Sequence, residues 1–142
     1  MINIDFTLLK IPSGNERYRL LCDTEGKLVI SNEDGFIFSH DGILLAEFAR
    51  VLGKWLENNN NQIETDFVYN SMDFEEEPIL AFRQSTSGKL IVESSLVPLP
   101  VGLSVQSDEL IEASKIFLKK LHRDLLDNSI AVEKYDAFPL PT

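Results

Sequence analysis

Six carboxylates, Glu64, Asp66, Asp73, Glu75, Glu76 and Glu77, fall within fourteen residues that hold no lysine or arginine. Like charges so crowded repel one another, so the run either lies solvated in a loop or meets a cation. If it meets one, the chemistry is docking. Asp73, Glu75, Glu76 and Glu77 then act as electrostatic contacts that speed encounter with a basic partner and make the association salt-sensitive. Tyr69 and Phe74 are the nearby aromatics that could anchor such an interface, although by period either ring fits a core equally well. The same carboxylates read less well as a metal site. Hard cations need several oxygens at fixed spacing, and in the second acidic stretch, residues 32–41, setting Gly35 at the sixth position of a calcium loop puts Ile30 first, without the leading acid. No metal and no cofactor is expected.

Catalysis has little to work with. His40 and His122 are the only histidines, both on polar stretches, and each reads as a surface or capping residue. Cys22 sits in an expected strand with no neighbouring base and reads as a small core residue. No nucleophile elbow, zinc-binding His pair, phosphate loop or dinucleotide fingerprint occurs. An acid–base pair would need two carboxylates facing each other across a cleft, one of them buried, and spacing along the chain does not place them so. The expectation is a non-enzyme.

The chain is one domain's worth, residues 1–142, and a chain of that size buries roughly two thirds of its unfolded surface, enough for a core without staples. Twenty-three acidic against thirteen basic side chains give a net charge of −10, which repels nucleic acid and anionic bilayers and favours a basic protein as partner. One cysteine excludes an internal disulfide and a multi-cysteine zinc site. With no basic, apolar leader at the N-terminus and no run approaching the ~18 to 20 apolar residues of a membrane span, a cytoplasmic setting is expected.

Periodicity supplies the elements. Ile2, Ile4, Phe6 and Leu8 alternate with polar residues as in a half-buried strand. Residues 18–22 and 27–30, flanking Asp23-Thr24-Glu25-Gly26, read as a hairpin. Residues 31–35 read as a turn, and 36–38 are too short to assign. Over 43–57, Leu45, Phe48, Ala49, Leu52, Trp55 and Leu56 recur at helical spacing, with Asp41 the expected N-cap and Trp55 in the core. Four asparagines, 58–61, end that helix. Residues 67–71, 79–84 and 89–95 read as strands, with Pro78 at a strand start and an extended passage through Pro98 and Pro100 to 101–105. Ser107 is the expected cap of a second long helix, 108–126, whose stripe is Leu110, Ser114, Phe117, Leu118, Leu121 and Leu125. Residues 127–142 are expected to form a loosely packed C-terminal extension.

The ending EFARVLGKWLE of the first long helix and the strand FVYNSMDFEEEPILAF after it resemble small bacterial immunity proteins of the WapI type. In those proteins a helix with a Trp-Leu ending precedes a strand bearing an acidic-proline step and an aromatic; the matching residues here are Trp55, Leu56, Glu77, Pro78 and Phe82. The resemblance covers about residues 43–126 and carries over no catalytic residue. It implies a cytoplasmic antidote that masks a toxin, for which an acidic face suits a basic nuclease. The expectation is therefore an α+β domain, an antiparallel sheet of about five to seven strands with two amphipathic helices on one face, working as a protein-binding module of immunity type. A structural or regulatory subunit, possible as a homodimer, is the alternative, and a small enzyme using paired carboxylates comes third.

Overall fold

The computed structural model describes residues 1–13, 17–59, 62–86, 88–128 and 130, with backbone alone at 17 and 18. Ile4 and Phe6 turn inward from β1 (Asn3–Lys10) while Asn3 and Thr7 face water, the alternation read from the sequence. After it come α1 (Arg17–Asp23), β2 (Glu25–Asn32), β3 (Gly35–Leu44), α2 (Leu45–Asn58), β4 (Phe67–Tyr69), β5 (Leu80–Gln84), β6 (Lys89–Glu93), β7 (Ser104–Gln106) and α3 (Ser107–Asp127). The class is α+β, and every strand pair is antiparallel.

Among the described residues the strands form two sheets, β1-β2-β3 and β4-β5-β6-β7, where the sequence pattern suggested one, and three helices stand where it suggested two. The long helices explain the division. α2 packs on β2 and β4, and α3 on β1 and β7, so each sheet buries its apolar face against the same pair of helices. Burial is met without joining the sheets edge to edge.

The expected hairpin at 18–22 is the main local correction. That stretch is α1, which buries Leu20, half-buries Leu21 and leaves Cys22 exposed, so Cys22 is not a core residue. β2 pairs instead with β1 and β3 on its two sides. Gly26 lies inside β2, not in a turn. A Cβ there would sit 2.1 Å from Thr7 O and 2.7 Å from Leu45 Cδ1, so glycine permits a close approach of backbones.

Asp41 does not cap α2. Opposite Lys27, β3 carries two residues, Asp41 and Gly42, in a bulge with Gly42 at φ 76°, and Ile43 and Leu44 still pair with β2 before the helix begins. The N-cap is Leu44, and the Leu45 amide donates to Thr24 O at 2.8 Å. Likewise Ser107 is the first residue of α3, after Gln106 as N-cap. Every expected stripe residue of α3 is buried, and Ser114 Oγ satisfies itself by donating to Leu110 O at 2.7 Å. The last turn of α3 holds no basic residue, so its dipole is matched at the acidic start alone.

Aromatic rings fill the space between helices and second sheet. Phe48 meets Phe67, Tyr69 and Phe117 edge-on, and the cross-strand pair Phe67 and Phe82 stacks at 4.9 Å beneath Trp55. Trp55 is core, as read, and its Nε1 donates to Thr65 O at 2.9 Å. On the other side Lys120 of α3 reaches β1, 2.6 Å from Asp5 Oδ1 and over the Phe6 ring. Among the described residues no helix is long and apolar enough to cross a membrane. Of the C-terminal extension, residue 129 and residues 131–142 lie outside the described residues; Asp127 and Asn128 are exposed, and Ile130 is buried with its amide donating to Leu125 O.

Candidate functional site

The acidic run divides at β4. Below that strand Asp66 is neutralised: its carboxylate lies 3.6 Å from Arg83 Nη1 and accepts the Gln84 amide at 2.8 Å. Arg83 in turn donates to Glu93 at 3.2 Å. Glu64 is exposed and lends its carbonyl to the Gln84 side chain. Above β4, Asp73, Glu75, Glu76 and Glu77 project from loop 70–78, all exposed, and among the described residues none forms an ion pair.

The loop is tied at its base and open at its tip. The Ile79 amide closes it onto Tyr69 O at 2.9 Å, while Ser95 donates from its hydroxyl to Glu77 O and from its amide to Pro78 O. Ser94 Oγ adds a bond of 2.6 Å to Ile79 O. At the tip, the amides of Asp73 and Phe74 both donate to Ser71, one to its hydroxyl and one to its carbonyl. This turn leaves Met72 wholly exposed. The loop thus carries its four exposed carboxylates on a backbone bonded at its base to Ser94 and Ser95.

The two aromatic candidates behave differently. Tyr69 is fully buried and so offers no surface to a partner; its hydroxyl donates to Glu47 Oε1 at 2.9 Å. Burial, and then the Glu47 carboxylate, push the Tyr69 phenol well above its usual range, with the Ser71 hydroxyl offsetting part. Phe74 is half-buried, its ring edge-on to His40 at 5.7 Å and close over Gly42. The bulge at Asp41 and Gly42 thus receives the loop, and His40, fixed by a contact of 2.5 Å from Nδ1 to Asp41 O, props it. Asp41, next in the chain, is exposed.

Met72 was not among the expected contacts. The turn formers Asn70, Ser71 and Asp73 around Met72 are the signal that puts it at a tip. That β3 meets the loop through His40 and Gly42 is a contact that spacing does not reveal.

Elsewhere, a cleft of about 460 Å³ opens between α3's first turn and the β5–β6 hairpin. Its titratable lining residues, Lys89 and Asp108, are both exposed, so it lacks the buried carboxyl that paired-acid chemistry uses. Among the described residues no three His, Cys, Asp or Glu side chains converge as metal ligands. No curated protein and no solved structure matches this chain. Residues 2–127 match the profile of a domain of unknown function, DUF7878, and the chain belongs to that family.

Proposed function

We propose that this protein is a binding module that masks a basic protein partner, in the manner of a cytoplasmic immunity protein acting on a toxin such as a nuclease. The observation that carries the reading is the acidic loop: four exposed carboxylates without cationic partners among the described residues, on a backbone pinned by Ser94 and Ser95, around the exposed side chain of Met72. Carboxylates arranged so make little contribution to folding, because exposed charges in water interact by only tenths of a kcal/mol. They do create a directed field that attracts a basic surface and repels nucleic acid, so an antidote could cover a nuclease by occupying the place of its substrate. Met72 supplies the apolar contact that the buried Tyr69 does not, with the rim of Phe74 beside it.

The test is capture from the native cell lysate with the tagged protein, at low and high salt, in parallel with Glu75→Gln, Glu76→Gln and Glu77→Gln combined. The expected result is a basic protein held by the parent at low salt, released at high salt and not held by the variant. Expressed alone that partner should arrest growth, and co-expression of the parent chain should restore it. Equal capture by parent and variant, or a partner indifferent to salt, overturns the proposal.

A further inference from the structure

A second surface has the opposite design, an apolar floor within an acidic rim. Where β1 begins beside the first half of α3, Met1, Ile2, Ala113 and Ile116 line a groove of about 190 Å³, bounded by Asp108, Glu109 and Glu112, and among the described residues no lysine or arginine lines it. Ile116 is more than half exposed on a helix whose other apolar residues are mostly buried, so it contributes little to the core. The rim already holds one cation. The Met1 amino group lies against the Glu33 carboxylate and 3.5 Å from Glu109 Oε1.

The geometry points to a docking groove for a basic segment of a partner protein, one that inserts a single aliphatic side chain between Ile2 and Ile116 and sets lysines or arginines against Glu109 and Glu112. Size chooses between kinds of occupant. A volume of this order is below the ~300 to 1,000 Å³ of small-molecule sites but suits one protruding side chain. Charge chooses the partner. A second copy of this chain, at −10, and an anionic bilayer would both be repelled by the rim, whereas a segment with flanking cations gains on encounter and on contact. The inference does not rest on the acidic loop 70–78, and either surface can fail without the other.

The test uses the full chain, isotope-labelled for NMR, titrated with a short capped peptide alternating lysine and leucine, and with two control peptides in which serine replaces leucine or glutamine replaces lysine. The expected result is shifts at Ile2, Ala113 and Ile116 with the first peptide, much weaker with either control. Affinity should fall about tenfold or more in Ile116→Ser and in Glu109→Gln with Glu112→Gln, the loss typical when an anchor of a small interface is removed. Glu75→Gln, Glu76→Gln and Glu77→Gln combined should leave these shifts in place. All the altered side chains lie at the surface, and unchanged spectra elsewhere will report that the fold is intact. Shifts confined to residues 72–77, shifts that survive Ile116→Ser, or shifts that follow protein concentration without peptide overturn the inference, the last by showing that a second copy fills the groove.

Discussion

Asn59 is the residue on which the junction between α2 and the second sheet turns. Its side chain is buried and uses its whole hydrogen-bonding capacity: Nδ2 donates to Trp55 O at 2.7 Å and Thr65 Oγ1 at 2.9 Å, while Oδ1 accepts the amides of Glu64 at 2.7 Å and Thr65 at 3.0 Å. Asn59→Ala removes four bonds at once, each worth about 0.5–1.5 kcal/mol net. Glu64 and Thr65 are exposed, so water can replace part of what they lose, and the cost should fall near the lower end of the sum, about 2–3 kcal/mol. For a domain of this length that corresponds to a fall of roughly 8–12 °C in Tm. Thermal unfolding should be followed by circular dichroism and by the fluorescence of Trp55, the single tryptophan, whose indole is bonded to Thr65 in the same junction. Asn58→Ala, at an exposed position one residue earlier, is the control and should stay within about 0.5 kcal/mol. Asn59→Asp keeps the two acceptor bonds, and the Thr65 hydroxyl can turn to donate to it, but it sets a carboxylate oxygen against Trp55 O, so above pH ~4 it should still be destabilising. Equal melting of Asn59→Ala and Asn58→Ala would refute the account.

Gly26→Ala should cost about 3 kcal/mol or abolish folding in denaturant titrations, because its Cβ meets the backbone of β1 and not a side chain that could swing away. Tyr69→Phe should cost about 1–2 kcal/mol at neutral pH by leaving the half-buried Glu47 without its donor. It should also flatten the alkaline limb. The folded phenol ionises above the ordinary value of 10, so its contribution is complete below pH ~10 and is lost as pH rises toward the folded value, by up to about 1.4 kcal/mol per pH unit in the parent and not in the variant. Asp5→Asn acts at the other end of the scale. Burial raises the Asp5 pKa, but the bond from Lys120 and the Phe6 amide outweigh it and hold the carboxyl below its usual range, so its contribution is present above pH ~4 and lost as pH falls further. Both partners are well exposed, so the loss at neutral pH should stay under about 1 kcal/mol and shrink in high salt.

What could be read from the sequence was set by how far each signal reaches along the chain. The two long helices were legible because Leu45, Phe48, Leu52 and Trp55, and later Leu110, Phe117, Leu121 and Leu125, repeat a period over several turns, and tertiary packing agreed with it. α1 was not, because seven residues, about two turns, are too few to establish a period, and among its described side chains only Leu20 is deeply buried. The attractive turn Asp23-Thr24-Glu25-Gly26 pointed elsewhere. Gly26 shows why: glycine serves a turn or a close approach, and only the neighbouring strand, nineteen residues away at Thr7, decides which. The division into two sheets is likewise a non-local fact, since alternation gives each strand a buried face but not the helix that covers it.

The acidic site was half legible for the same reason. Composition shows a run of six carboxylates, but Arg83 pairs with Asp66 from an adjacent strand and Glu64 lies before β4, so the group left unpaired on loop 70–78 among the described residues narrows to Asp73, Glu75, Glu76 and Glu77 only once β4 and β5 are paired. Phe74 leans on His40 across a bulge more than thirty residues away in the chain, and Tyr69, alike in sequence character, turns the other way into the core. The period of two decides between those rings: Phe67 and Tyr69 share the inner face of β4, Val68 the outer, and Phe74 lies beyond the strand, where the period no longer applies. In β4 the aromatics on the inner face therefore belong to the fold, and the one just past its end is free to serve the surface. Here it fixes the root of a loop whose carboxylates and methionine remain turned outward, which is the arrangement a docking site requires and a core does not.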